Sequence, residues 1–110
     1  MKVILHIGVH KTGTSAIQEF LFRNSGLLGE RGVLYDDVTP EQKNHHRIVE
    51  NFEFGRDNAG GRKAIAGLLK SAHRKNIGAV LLSSEVLVEG RIDLAGFVNS
   101  FAGHDVEAIA

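Results

Sequence analysis

The stretch that decides the fold is residues 4–15, which read ILHIGVHKTGTS. Its first half is a short apolar run, rich in β-branched residues and ended by Gly8, and this pattern predicts a buried strand. From Thr14 onward apolar residues recur at helical spacing, which predicts an amphipathic helix that breaks near residues 24–26. A strand, a glycine-containing loop and a helix in this order are typical of the first unit of an α/β domain.

The rest of the chain continues this alternation of apolar strands and amphipathic helices. The predicted later helices span residues 41–54, 62–75 and 92–101, and the predicted later strands span residues 79–82 and 106–110. The predicted irregular connections are residues 33–40 and 55–61. Such alternation predicts a parallel sheet with helical crossovers, in which ligands bind at the carboxyl ends of the strands.

Length and composition exclude several classes of protein. The 110 residues contain no cysteine, and 13 Lys and Arg balance 13 Asp and Glu. A disulfide scaffold and Cys-based metal sites are therefore excluded, and a nucleic-acid binder that works by bulk electrostatics is not expected. No apolar run approaches the roughly 20 residues of a membrane span, and no secretory signal is present, so we expect a cytoplasmic protein.

The loop over residues 8–15, GVHKTGTS, nearly matches the Walker A pattern G-x-x-x-x-G-K-[ST]. Glycines let successive backbone N–H groups point inward, and the positive end of the next helix adds to the attraction for a phosphate. Walker A places its lysine directly after the second glycine, where this chain has Thr14, and the only loop lysine is Lys11. We therefore expect a three-layer α/β/α fold of the P-loop NTPase type, without ordinary ATP or GTP chemistry.

Residues 4–15, followed by Ile17-Gln18 and Phe20-Leu21, resemble the N-terminus of bacterial sulfotransferase-family proteins. The first loop of that family reads H-K-T-G-T-[ST] or P-K-[ST]-G-T-[ST]. The resemblance implies that this loop grips the 5′-phosphosulfate end of the sulfuryl donor 3′-phosphoadenosine 5′-phosphosulfate (PAPS), with no obligatory metal. The residues implied to bind the donor are His10, Lys11, Thr12, Gly13, Thr14 and Ser15, with His10 in the place that proline takes in relatives.

Catalysis of sulfuryl transfer needs a cation at the leaving oxygen and a base at the acceptor. The resemblance implies that Lys11 stabilises the charge that builds on the bridging oxygen in the transition state. The acceptor hydroxyl must lose a proton, and Glu85 at the end of the second strand and His46 are the two candidates for the base. An alternative interpretation stays open for each: Glu85 is a helix-start residue, and His46 is a solvated or capping residue. His6, inside the first strand, is expected to be a buried, satisfied side chain.

The family's segment for the 3′-phosphate follows the third strand, which only begins at residues 106–110. We therefore expect residues 1–110 to be the front part of a single sulfotransferase-like domain, inactive by itself. Two other functions stay open, namely a divergent P-loop nucleotide kinase or NTPase and a non-catalytic α/β remnant that acts as an interaction module. The sequence leaves open whether the acceptor is a glycan, a lipid or a small molecule.

Overall fold

Helices connect the successive strands of a parallel sheet. A computed structural model of the chain describes residues 1–8, 14–38 and 41–110. The strands within these residues are β1 (Lys2–His6), β2 (Val33–Leu34), β3 (Ala79–Ser83) and β4 (Asp105–Ile109). The helices are α1 (Thr14–Arg23), α2 (Ser25–Glu30), α3 (His46–Glu50), α4 (Ala59–Arg74) and α5 (Leu94–Asn99), with a 3₁₀ turn at Glu85–Val88.

The sheet has the strand order β2-β3-β1-β4, and all three pairings are parallel. After β1 the chain crosses to the edge strand β2, and after β3 it crosses to the opposite edge strand β4. Because such crossovers are right-handed, α1 and α2 cover one face and the later helices cover the opposite face. The predicted α/β class with a parallel sheet is confirmed, and the reversal of direction lies between β1 and β3, where α/β sheets form ligand crevices.

The hydrophobic core lies on the face of the sheet covered by the later helices. Alternate residues of a strand point to one face, so Val3 and Leu5 of β1 lie beside their partners Val80 and Leu82 of β3. Three aromatic rings extend this core in edge-to-face contacts. The ring centroids of Phe52 and Phe97 are 5.2 Å apart, and those of Phe97 and Phe101 are 5.4 Å apart.

The prediction of an irregular connection over residues 33–40 is wrong at its start, where Val33–Leu34 forms the edge strand β2. Val33 pairs with Ala79 and Leu34 with Val80. A two-residue strand is too short to show an alternating pattern, so only its partner strand defines it. The end of this segment, residues 39–40, lies outside the described residues.

The prediction of a helix over residues 41–54 is wrong over most of its length, because α3 covers only His46–Glu50. Lys43 adopts a left-handed conformation with φ of 58°, which interrupts a right-handed helix. The N–H of His45 donates to the carbonyl of Ser83 at 2.8 Å, so this backbone pairs with the end of β3 instead of with a helix. Pro40, expected to start the helix, is outside the described residues.

The predicted loop over residues 55–61 ends earlier than expected, because α4 already begins at Ala59. Gly61 is buried in its first turn, where an added Cβ would lie 2.7 Å from a ring carbon of Phe52. This glycine therefore serves close packing between the helix and the core, not the breaking of a helix. The helices expected over 62–75 and 92–101 and the strands expected over 79–82 and 106–110 are confirmed within a few residues.

The amphipathic pattern of the first helix is only partly realised, although its break at Asn24 is confirmed. The apolar side chains of Ile17 and Phe20 are 42% and 62% exposed, whereas the amide side chain of Gln18 is buried. Ile17 and Phe20 therefore lie outside the core, whereas Leu21 of the same predicted stripe is half-buried. Among the described residues, no helix is both long enough and apolar enough to cross a membrane.

The aromatic core predicts how two phenylalanines differ in their contribution to stability. Phe97→Ala should lower the free energy of unfolding by about 3–5 kcal/mol, because it removes a fully buried ring and leaves a cavity. Phe54 is 65% exposed, so Phe54→Ala should change it by no more than about 0.5 kcal/mol. Urea titrations followed by circular dichroism measure both. Equal effects at the two positions would contradict this packing, and Phe97→Leu provides a milder variant.

Candidate functional site

The candidate site lies where the carboxyl ends of β1 and β3 meet. The two strands pair in register from Lys2 with Ala79 to His6 with Ser83, so they end side by side. Gly8, two residues after β1 ends, has φ of 61°, a conformation that glycine adopts without strain. Polar side chains from α1, from the segment before α3 and from the end of β3 lie close together at these carboxyl ends.

The donor-binding residues implied by the sequence fall mostly outside the described part of the chain. His10, Lys11, Thr12 and Gly13 are not described, and Thr14 is described only as the first residue of α1. Ser15 is exposed and lines a pocket that His46 and Glu85 also line. The described structure therefore places one of the six residues beside the two candidate bases.

The two candidate bases, distant in the sequence, contact each other. Nε2 of His46 lies 3.3 Å from Oε2 of Glu85, and both side chains are partly buried. Nδ1 of His46 lies 2.7 Å from Oγ of Ser84. Glu85 starts the 3₁₀ turn, as its alternative interpretation held, and it also faces the pocket. Its role in the fold and its place in the site are thus compatible.

Gln18 is a site residue that the sequence reasoning missed. Its side chain is 3% exposed, and Nε2 donates to Oγ of Ser83 at 3.0 Å and to Oε2 of Glu85 at 3.0 Å. Nδ1 of His6 lies 2.7 Å from the same Ser83 hydroxyl, so the expectation of a buried, satisfied His6 is confirmed. Gln18 stands between Ile17 and Glu19, and no sequence signal separated it from an exposed polar residue of the helix; only its burial shows that the amide needs partners.

Ser84, His46 and Glu85 have the composition of a nucleophilic triad but not its geometry. Ser84 is fully buried, and its Oγ already accepts the N–H of Val86 at 3.2 Å as the cap of the 3₁₀ turn. In a serine triad the hydroxyl faces Nε2 and the acid faces Nδ1, whereas here the two contacts are reversed. Ser84 is thus a support for His46 and not a nucleophile.

His45, next to His46, belongs to the framework. Its Nδ1 accepts the backbone N–H of Ser83 at 3.0 Å, and its Nε2 lies 2.7 Å from the carbonyl oxygen of Asp36. Because an N–H can only donate and a carbonyl can only accept, these partners fix the neutral form with the proton on Nε2. Burial lowers the pKa of His45, in agreement with this geometry.

Tyr35 holds the other side of His45. The two rings meet edge to face with centroids 5.0 Å apart, and the Tyr35 hydroxyl donates to the carbonyl of Lys43 at 2.6 Å. Burial raises the pKa of Tyr35 above its ordinary value, so the phenol stays protonated. Tyr35 and His45 thereby fix the segment that leads into α3 and presents His46.

The pocket beside His46 and Glu85 has a volume of about 310 Å³. One wall is formed by α1, where Glu19 contacts Arg23 at 3.1 Å and Lys43 at 3.3 Å. These two cations lower the pKa of Glu19, with Arg23 as the larger cause. Glu19 is therefore an ionised and already paired carboxylate, whereas Glu85 has the amide of Gln18 and the imidazole of His46 as its neighbours.

Comparisons with known proteins give no independent indication of function. The chain matches no family model, no curated protein and no solved structure. In the described residues there is also no group of three or more His, Asp or Glu side chains placed to hold a metal ion. The interpretation of the site therefore rests on its own geometry.

The buried His45 predicts an acid-sensitive fold. Its lowered pKa means that the unfolded chain binds a proton more readily, so this contribution to stability is present above about pH 6.5 and is lost as the pH falls below it. Each pH unit in that range should cost up to about 1.4 kcal/mol for this one proton. Urea titrations at pH 7.5 and 5.5 measure the loss.

His45→Gln should be less stable than the wild type at pH 7.5 but should lose less stability on acidification. His73 is exposed on α4, so His73→Gln is the matched control and should keep the wild-type dependence. An unchanged pH dependence in His45→Gln would contradict the assignment of a neutral, buried His45.

Gln18 predicts a second measurable effect at the same site. Gln18→Leu keeps the approximate size but leaves buried acceptors without their donor, which should cost about 1–3 kcal/mol of unfolding free energy. Gln18→Glu should cost more, because it places a second carboxylate against Glu85. Urea titrations measure both, and the ¹⁵N resonances of the His46 ring should shift in each variant. A stability within about 0.5 kcal/mol of the wild type would contradict the role of this amide.

Proposed function

We propose that the chain carries the donor-binding loop of a PAPS-dependent sulfotransferase, which transfers a sulfuryl group to a hydroxyl or amine acceptor. The observation that carries this proposal is the contact of 3.3 Å between His46 and Glu85, in a pocket that Ser15 at the start of α1 also lines. In this proposal the candidate proton acceptor therefore lies beside Ser15, the last residue of the proposed phosphate-binding sequence. This is the arrangement that transfer from a phosphosulfate to a bound acceptor needs.

The donor side of the proposal rests on the HKTGTS sequence and on the helix that follows it. The first turn of α1 carries no acidic side chain of its own, which favours the attraction of the helix N-terminus for a phosphate. PAPS supplies an activated sulfuryl group on a 5′-phosphate. In this proposal His10 to Ser15 bind that phosphosulfate, and Lys11 stabilises the charge on the leaving oxygen.

On the acceptor side, the contacts of the two candidate bases indicate that they have different roles. Both ring nitrogens of His46 are engaged, Nδ1 with Ser84 and Nε2 with Glu85. The contacts of Glu85 with Gln18 and His46 both use Oε2. With respect to the described residues, Oε1 is the oxygen these contacts leave for an acceptor, so we assign Glu85 as the base and His46 as the residue that positions it.

The proposed transfer balances as a single in-line substitution at sulfur. A lone pair of the acceptor oxygen forms the new O–S bond while the bond from sulfur to the phosphate oxygen breaks. The bonding pair stays on the phosphate, which leaves as part of 3′-phosphoadenosine 5′-phosphate (PAP). The acceptor proton passes to Glu85, and no redox partner is needed.

Calorimetric titration with PAP tests the donor side. PAP should bind saturably through its 5′-phosphate. It should bind more tightly than ATP at equal ionic strength, because the loop lacks the lysine with which Walker A holds the β- and γ-phosphates. Lys11→Ala should weaken PAP binding by about ten- to a hundredfold, the equivalent of one hydrogen bond to a charged group. Thr14→Ala should also weaken it.

Two control variants separate the donor side from the rest of the chain. Lys70 is exposed on α4, so Lys70→Ala removes a lysine without touching the loop and should leave the affinity unchanged. Glu85→Gln acts on the acceptor side and should not weaken PAP binding. Tighter binding of ATP than of PAP would favour a P-loop kinase or NTPase. Equal PAP affinity in the wild type, Lys11→Ala and Thr14→Ala would favour a non-catalytic module.

A further inference from the structure

The described residues that line the pocket beside His46 and Glu85 are all polar or charged. All nine lining residues carry hydroxyl, amide, carboxylate, ammonium or imidazole groups, and within the described part of the chain no aliphatic side chain, Phe, Tyr or Trp lines it. Pockets for apolar ligands are lined mostly by hydrophobic and aromatic side chains. An acyl chain or a phenol would here desolvate polar groups without replacing their hydrogen bonds to water, which is unfavourable.

The charge of the pocket is the second observation. Among the described residues, Glu19, Glu41 and Glu85 line it, against the ammonium of Lys43 and the imidazole of His46. Lys43 is already paired with Glu19 at 3.3 Å. Glu41 and Glu85 therefore leave an excess of negative charge facing the pocket. An acceptor with its own carboxylate or sulfate would be repelled, whereas a neutral or amine-bearing acceptor would not.

The volume is the third observation. A pocket of about 310 Å³ is near the small end of ligand pockets, which span about 300–1,000 Å³. Carboxylate and amide side chains at such a site accept and donate hydrogen bonds to several hydroxyl groups at once. A compact molecule with many hydroxyls matches both the size and the lining.

We propose that the acceptor is a small polyol of the sugar class, neutral or amine-bearing, with one hydroxyl directed at Glu85. This inference rests on the proposed function, because it takes the pocket to be the acceptor side of the same reaction. Of the acceptor classes that the sequence left open, it selects sugars over lipids and phenols. It also selects against acidic glycans.

Three sugars that share one ring but differ in charge test the inference. Glucose, glucosamine and glucuronate are neutral, cationic and anionic, and 2-naphthol represents the phenols. Each is titrated into the ¹⁵N-labelled chain, with and without saturating PAP, and amide shifts are followed at Gln18, Asn44, His46 and Glu85. We expect saturable shifts with glucose and glucosamine, about tenfold weaker binding of glucuronate, and none for 2-naphthol.

Charge-neutral variants identify the source of this preference. Glu41→Gln and Glu85→Gln should each reduce the difference in affinity between glucosamine and glucuronate. Glu30 is exposed at the end of α2, so Glu30→Gln should leave that difference unchanged. An equal reduction in all three variants would overturn the role given to the pocket carboxylates.

The outcomes separate the acceptor class from the proposed function. PAP binding together with a preference for glucuronate or 2-naphthol, or with no sugar bound, overturns the acceptor class and leaves the sulfotransferase proposal standing. Sugar binding without PAP binding overturns the sulfotransferase proposal and supports the pocket as a sugar site. The absence of both overturns both.

Discussion

The parallel, in-register pairing of β1 with β3 is the constraint on which the rest of the site depends. This pairing places His6 beside Ser83, so the carboxyl ends of the two strands lie side by side. The N–H of Ser84 then donates to the carbonyl of His6 at 3.0 Å, which extends the pairing beyond the strand. A one-residue change of register would turn Ser83 toward the apolar core and would separate Glu85 from Gln18.

The two buried serines, Ser83 and Ser84, stabilise different parts of the site. Ser83 pairs with the backbone and the ring of His45, while its hydroxyl contacts Gln18 and His6. Ser84 caps the 3₁₀ turn and contacts His46. The adjacent histidines thereby take opposite roles: His45 is held neutral inside the framework, and His46 meets Glu85 at the pocket. Because each buried hydroxyl has partners, the network is a rigid support for the carboxylate.

The first helix shows a conflict between local pattern and site geometry. It buries the amide of Gln18 against the sheet while Ile17 and Phe20 stay exposed. Burying Ile17 and Phe20 more fully would bring a larger hydrophobic gain, so the observed orientation favours the polar cluster at the expense of these two side chains. Such departures from a consistent amphipathic pattern are expected where a chain builds a functional site. The net charge of zero does not reveal this local difference, since the described residues that line the pocket include more carboxylates than cationic groups.

The sequence by itself determined the α/β class, the strands β1, β3 and β4, and most of the helix bounds, because buried strands and amphipathic helices leave periodic patterns over neighbouring residues. It also singled out Glu85 and His46, each from its residue type and its place relative to a strand or helix. Only the tertiary structure decided that these two touch, that Val33–Leu34 joins the sheet, that α3 is short and that Gln18 is a site residue. These features arise from hydrogen bonds between segments far apart in the chain, and such bonds leave no trace in local periodicity.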